Sequence, residues 1–150
     1  MKRLLKFFRL KKRRNVILRA TGAHHNLQAI YDQINANYFE GKLELGITWI
    51  GNRLARPRTR IVLGSYHLHQ NVIRINRILD HPNIPHYFVA YIVYHEMLHH
   101  VLPPRRVGRR REIHHQDFKA REKQFQEFKE ATAFRKSFRN ELFNLSDSTA

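Results

Sequence analysis

The run His95-Glu96-Met97-Leu98-His99 sets two imidazoles four residues apart with a carboxylate between them. On a helix, positions four apart share a face, so both rings can reach one ion at about 2.0–2.1 Å from each nitrogen. Glu96 is turned about 100° from His95, which removes it from the ligand set and leaves it beside the ion, where it can take a proton from water. The chain has 11 His and no Cys, so thiolate zinc sites and a Cys nucleophile are excluded. His, Asp and Glu remain as protein ligands for a transition metal. With so many histidines the bare motif arises by chance in about 4% of such chains, so its surroundings must carry the assignment.

A tetrahedral catalytic zinc takes three protein ligands and keeps a fourth position open. Downstream candidates are His100, His114 and His115, with Glu112 and Asp117 less direct. His100 is a full helical step away from His99. On a helix starting near Glu112, His114 shares a stripe with Phe118, Phe125 and Phe128 and faces the core, whereas His115 is rotated about 100° and belongs at the rim or surface. The expected site is one catalytic Zn2+ held by His95, His99 and His114. The expected chemistry is hydrolysis of a protein or peptide: the ion acidifies water toward a pKa of ~7 and polarises a carbonyl, and Glu96 carries the proton to the leaving amine. Tyr66 and Arg121 are candidate oxyanion or substrate contacts, against core or rim roles for Tyr66 and pairing with a buried acid for Arg121. Tyr94 is weighed in the same way as Tyr66.

Three helices and three strands must position these groups. Leu27, Ile30, Tyr31, Ile34, Tyr38 and Phe39 fall on helical spacing, with Asn26 as a cap and Gly41 beyond the end. β-prone runs follow at 47–50, 60–66 and 71–76, joined by turn-rich links, which predicts a small antiparallel sheet. The third run alternates polar and apolar side chains and is the expected exposed edge for an added substrate strand. A second helix is predicted from Pro85 to Leu102, ended by Pro103-Pro104. Its first half is apolar all round, so it passes through the centre and carries His95, Glu96, His99 and His100 with it. Residues 105–111 read as a basic loop, and a third helix is expected from about 112 to 142, with a break. The fold class expected is α+β: a small zincin-like domain of three main helices and a three-stranded antiparallel sheet. A basic arm (1–20), a catalytic domain (21–143) and a polar tail (144–150) complete the organisation.

The chain is 150 residues long with 42% hydrophobic residues, enough for one core and incompatible with a wholly disordered chain. Twenty-eight Lys+Arg against 12 Asp+Glu give a formal charge of +16, so a polyanion, DNA or another nucleic acid or an anionic membrane, is the expected class of partner. The arm has nine Lys/Arg among its first 20 residues and no unbroken apolar run, which argues against a secretory signal and leaves an organelle-targeting peptide open. Candidate nucleic-acid contacts are Lys11, Lys12, Arg13 and Arg14 in the arm and Arg105, Arg106, Arg109, Arg110 and Arg111 in the loop. A second cluster comprises Arg53, Arg56, Arg58 and Arg60. No segment reaches the ~20 apolar residues of a membrane span. A cytoplasmic monomer, associated with nucleoid or chromatin, is expected, consistent with the absence of Cys.

Tyr31-Asp32 through Asn35, then Asn37-Tyr38-Phe39-Glu40-Gly41-Lys42-Leu43, Trp49, Leu63-Gly64-Ser65-Tyr66, Val72-Ile73-Arg74-Ile75-Asn76, the HExxH run and His114-His115-Gln116-Asp117-Phe118 occur in the order that resembles a SprT-like zinc metalloprotease domain, the family that includes Spartan. The resemblance implies a zincin-like α+β fold and proteolysis, in some members of protein crosslinked to DNA, with His114 of the H-x-x-x-F motif as third zinc ligand. Many members add a Cys-based zinc ribbon, which has no counterpart here, so DNA targeting would fall to the basic segments. The alternative reading is a basic nucleic-acid-binding module with a structural or incidental metal; Glu96 has no purpose there. A three-His endoribonuclease lacks a Glu after its first His, and peptide deformylase requires a Cys ligand.

Overall fold

The structure is a computed structural model that describes residues 17–51 and 61–147, with side chains through 139. Lys11, Lys12, Arg13, Arg14, the cluster at 53–60 and residues 148–150 lie outside the described residues. The elements run α1 (Leu27–Tyr38), β1 (Gly46–Ile50), β2 (Gly64–His67), β3 (Val72–Asn76), a 3-10 turn (Arg77–Leu79), α2 (His86–Val101), β4 (Arg105–Val107), β5 (Arg110–Glu112), α3 (Gln116–Glu122) and α4 (Phe128–Asp147). The class is α+β, with four α-helices among the described residues rather than three.

The predicted α1 forms where its periodicity places it. Asn26 caps it by accepting from the Ala29 N–H, and Leu27, Ile30, Tyr31 and Ile34 are buried. Its last turn governs the path into the sheet. Asn35 both donates to the Leu43 carbonyl and accepts from the Leu43 N–H, while the Tyr31 hydroxyl donates to the same carbonyl and accepts from the Leu45 N–H. Glu40 and Gly41, both at positive φ, make the reversal between them.

The sheet differs from expectation in direction and order. Its order is β1-β3-β2, with β3 parallel to β1 and antiparallel to β2. Residues 71–76, expected as the edge, therefore form the central strand. Val72, Ile73 and Ile75 are all buried, which the alternation of the run concealed. On the outer side of β1, Arg19 accepts from the Trp49 N–H and donates its own N–H to Thr48 Oγ1. Among the described residues, no strand lies along the outer side of β2.

Helix α2 crosses the centre of the domain as its all-round apolar first half requires, with residues 88–94 buried. The expected third helix is two. A turn over residues 123–127 breaks it because Phe125 turns inward and stacks on Tyr94 and Tyr38, and the Gln126 N–H donates to the Tyr38 hydroxyl. Helix α4 continues to Asp147, so the first residues of the expected tail are helical. The basic loop is a hairpin, β4 paired antiparallel with β5 around Gly108 at φ 63°.

Asp80 closes the start of the domain. It is buried, and it accepts from the backbone N–H groups of Ala23 (2.7 Å), His24 (2.8 Å) and His25 (3.0 Å). Hydrogen bonds to a charged acceptor are among the stronger ones, and removal strands their donors. Asp80→Ala should lower the unfolding free energy by about 2–4 kcal/mol in urea titrations; a change within error would contradict this role.

Candidate metal centre

His95 and His99 project from one face of α2, as their spacing requires, and meet His114 in front of it. The Nε2 atoms of His95 and His99 are 3.2 Å apart, as are those of His99 and His114. Two nitrogens ~2.0–2.1 Å from one ion at a tetrahedral angle are separated by about 3.3 Å, so the three donors fit a single divalent cation. Among the described residues, these three form the one group of His, Asp and Glu able to hold a metal ion.

The donor chemistry agrees with the spacing. His95 Nδ1 is 2.8 Å from Glu122 Oε2, so Nδ1 carries the proton and the Nε2 lone pair is turned toward the other two rings. Burial, together with the neighbouring His95 and His114, lowers His99 to about 4, and burial with the His95 charge lowers His114 as well. Both rings are therefore neutral near pH 7, the form that binds a metal. Glu122 also accepts from the Tyr91 hydroxyl at 2.6 Å. Burial raises its carboxyl, but the hydrogen bonds from His95 and Tyr91 and the charges of His95 and His114 outweigh burial, and its pKa is lowered. Phe118, fully buried, is the floor under the site, its ring centroid 5.1, 4.7 and 4.9 Å from those of His95, His99 and His114.

His114 reaches the site from a different element than expected. It is exposed and precedes α3, so the helical stripe that singled it out does not exist at that position. His115 is no rim residue. It is 3% exposed and caps α3: its Nδ1 accepts from the Phe118 N–H, and its Nε2 donates to the Pro103 carbonyl. This tie binds the start of α3 to the end of α2 and fixes the backbone that presents His114.

Glu96 is buried against β2, where a Cβ on Gly64 would stand 3.1 Å from both its Cγ and its Oε1. Burial raises its carboxyl to about 7, within reach of a base that works near neutrality. The Tyr66 hydroxyl is 2.7 Å from His100 Nδ1, which ties β2 to the end of α2. Arg121 is half-buried, and its carbonyl accepts from the Tyr94 hydroxyl at 2.6 Å. Tyr94 is a core aromatic whose hydroxyl is spoken for by that bond. Arg105, Arg106, Arg109, Arg110 and Arg111 are all exposed on the hairpin, and Arg105 pairs with Asp117 at 2.5 Å.

The residue missed from the sequence is Glu122. Four positions after Phe118 it lies on the same face of α3, and that i, i+4 relation was the available signal.

The model of the SprT-like family matches residues 27–139. The chain belongs to the SprT-like family. No curated protein and no solved structure matches it. SprT-like domains are metalloprotease-like, and the histidines able to hold a metal here are the three inside the matched region. No helix among the described residues is long and apolar enough to cross a membrane.

A carboxylate that orients a ligating imidazole typically governs metal affinity by 10–100-fold. Glu122→Gln should weaken zinc binding by roughly that factor in chelator competition, with helix content unchanged. An affinity equal to wild type would remove Glu122 from the site. Phe118→Ala should cost about 3–5 kcal/mol of stability and weaken metal binding at the same time, checked by thermal unfolding with and without zinc.

Proposed function

We propose that the protein is a zinc-dependent metallopeptidase in which His95, His99 and His114 hold the ion and Glu96 is the general base. The observation that carries this reading is the convergence of three Nε2 atoms in front of a helix whose very next side chain after His95 is a buried carboxylate with a raised pKa. When bound, zinc supplies Lewis acidity, acidifying water and polarising a carbonyl. Glu96 accepts a proton from the attacking water and donates it to the leaving amine. Glu122 holds the His95 ring in the tautomer that ligates.

The substrate reading follows from β2. With residues 71–76 in the centre of the sheet, β2 is the edge next to the site: Gly64 packs on Glu96 and Tyr66 bonds to His100. A polypeptide added antiparallel to β2 would make main-chain hydrogen bonds with little sequence preference and would pass directly over the three imidazoles. Tyr66, half-buried in that strand, and the half-buried Arg121 keep their candidate roles as substrate contacts. A basic binding module with an incidental metal gives no reason for the Glu122–His95 bond or for Glu96 beneath the edge strand.

Zinc-loaded protein should cleave an unstructured protein such as casein. Glu96→Gln should retain one zinc per chain while losing about 10²–10⁴-fold in rate. Equal cleavage by wild type and Glu96→Gln, or none by either at full zinc occupancy, would overturn the reading. Gly64→Ala, which puts a methyl against the Glu96 carboxylate, should lower the rate with zinc retained.

A further inference from the structure

Tyr91 stands one helical turn before His95 on α2, so the two side chains leave the helix on the same side. Glu122, the last residue of α3, spans both. Its Oε1 accepts from the Tyr91 hydroxyl at 2.6 Å, and its Oε2 lies 2.8 Å from His95 Nδ1. Each carboxylate oxygen thus has its own partner, and both partners belong to the helix that carries the ligands. The Tyr91 ring is 1% exposed and packs against Phe125 and Phe128, with ring centroids 5.7 and 6.0 Å away. A phenol buried so deeply requires a hydrogen-bond partner, and a carboxylate acceptor makes the bond short and strong. Burial, with the hydrogen bond and charge of Glu122 adding to it, raises the Tyr91 pKa against the opposing charge of Arg135 on α4, so the hydroxyl stays a donor.

We propose that Tyr91 is a positioning residue of the metal centre, which clamps the Glu122 carboxylate in the one orientation that aims the His95 ring at its fellow ligands. The proposal deepens the peptidase reading and rests on it for the identity of the ion. A glutamate side chain has three rotatable bonds, and its terminal torsion is broad. Helix α3 is only seven residues long and ends at Glu122, with a turn over residues 123–127 behind it, so the local backbone does little to confine that side chain. With the His95 bond alone, the carboxylate could pivot about Oε2 and the imidazole would pivot with it. The second bond comes from a ring locked in the core. It fixes the plane of the carboxylate and, through it, the tautomer and direction of the His95 ring. Tyr94 is the natural comparison. Its ring is equally buried and its hydroxyl also donates to α3 at 2.6 Å, but to the main-chain carbonyl of Arg121 rather than to the carboxylate.

Two measurements on the full chain test this, and neither uses peptide cleavage. In the zinc-free protein at alkaline pH, where imidazoles are neutral, long-range proton–nitrogen NMR correlation reads the His95 tautomer. The wild type and Tyr94→Phe should hold the proton on Nδ1, whereas Tyr91→Phe should show the Nε2–H form as well. Chelator competition then reads zinc affinity. Tyr91→Phe should bind about tenfold more weakly than the wild type, and Tyr94→Phe should bind as the wild type does. The Tyr91→Phe/Glu122→Gln double variant should match Glu122→Gln within about twofold, because both changes act through one carboxylate. A Tyr91→Phe chain with wild-type tautomer and affinity would overturn the proposal. So would losses that add in the double variant, or an equal loss in Tyr94→Phe, which would reduce Tyr91 to a core contact holding α3 in place. Should Tyr91→Phe fail to fold by circular dichroism, Glu122→Asp replaces it: the shorter carboxylate cannot reach both partners, so the same loss is expected, and wild-type affinity would overturn the proposal. A wild type that binds no zinc would strike the peptidase reading, while the tautomer comparison would still decide the role of Tyr91.

Discussion

Setting half-buried imidazoles at the end of a helix whose first half is apolar all round is the condition that shapes the rest of this molecule. Ionisable groups in such a place must be neutral or paired. Here His99 and His114 are held neutral, and His95 is fixed by a carboxylate reaching over from α3. Phe118 then supplies a rigid apolar floor, so that three rings can approach to ligating distance without collapsing on one another. The break between α3 and α4 belongs to the same arrangement. By turning Phe125 inward against Tyr91 and Tyr94, it docks α3 on α2 and brings Glu122 to both Tyr91 and His95.

What local pattern determines could be read from the amino acids. Helix α1, with its Asn26 cap, and helix α2, stopped by two prolines, follow from periodicity and backbone chemistry. The placement of His95 and His99 on one face of α2 follows from the four-residue spacing. What depends on distant contacts could not be read in the same way. Strand order is one case: β1 and β3 are parallel because the chain crosses over between them, and nothing within residues 71–76 states that both sides will be covered. The position of the break in the third helix is another: residues 123–127 contain neither Gly nor Pro, and packing of Phe125 places the break there.

His114 joins His95 and His99 from a segment other than the helix on which its spacing predicts it. The stripe of phenylalanines correctly located the buried side of α3, but the helix starts at Gln116 and is capped by His115. The exposed His114 is presented by that cap and not by a helical face. Residues 105–111 look like a loop in the sequence because arginine runs have neither β-branched residues nor apolar alternation; the Gly108-Arg109 turn is the one local sign of the hairpin.

The edge strand β2 meets α2 where Gly64 packs on Glu96, the residue next to His95, and His95 converges with His99 and His114. The central claim is that these rings jointly bind one ion. Native mass spectrometry of the zinc-reconstituted chain tests it most directly. The account predicts one zinc per chain in the wild type and loss of that zinc on replacing any one of His95, His99 or His114 by Ala, with His115→Ala retaining it if folded. A wild type that binds no zinc, or a triple His95/His99/His114→Ala variant that still holds one, would contradict it.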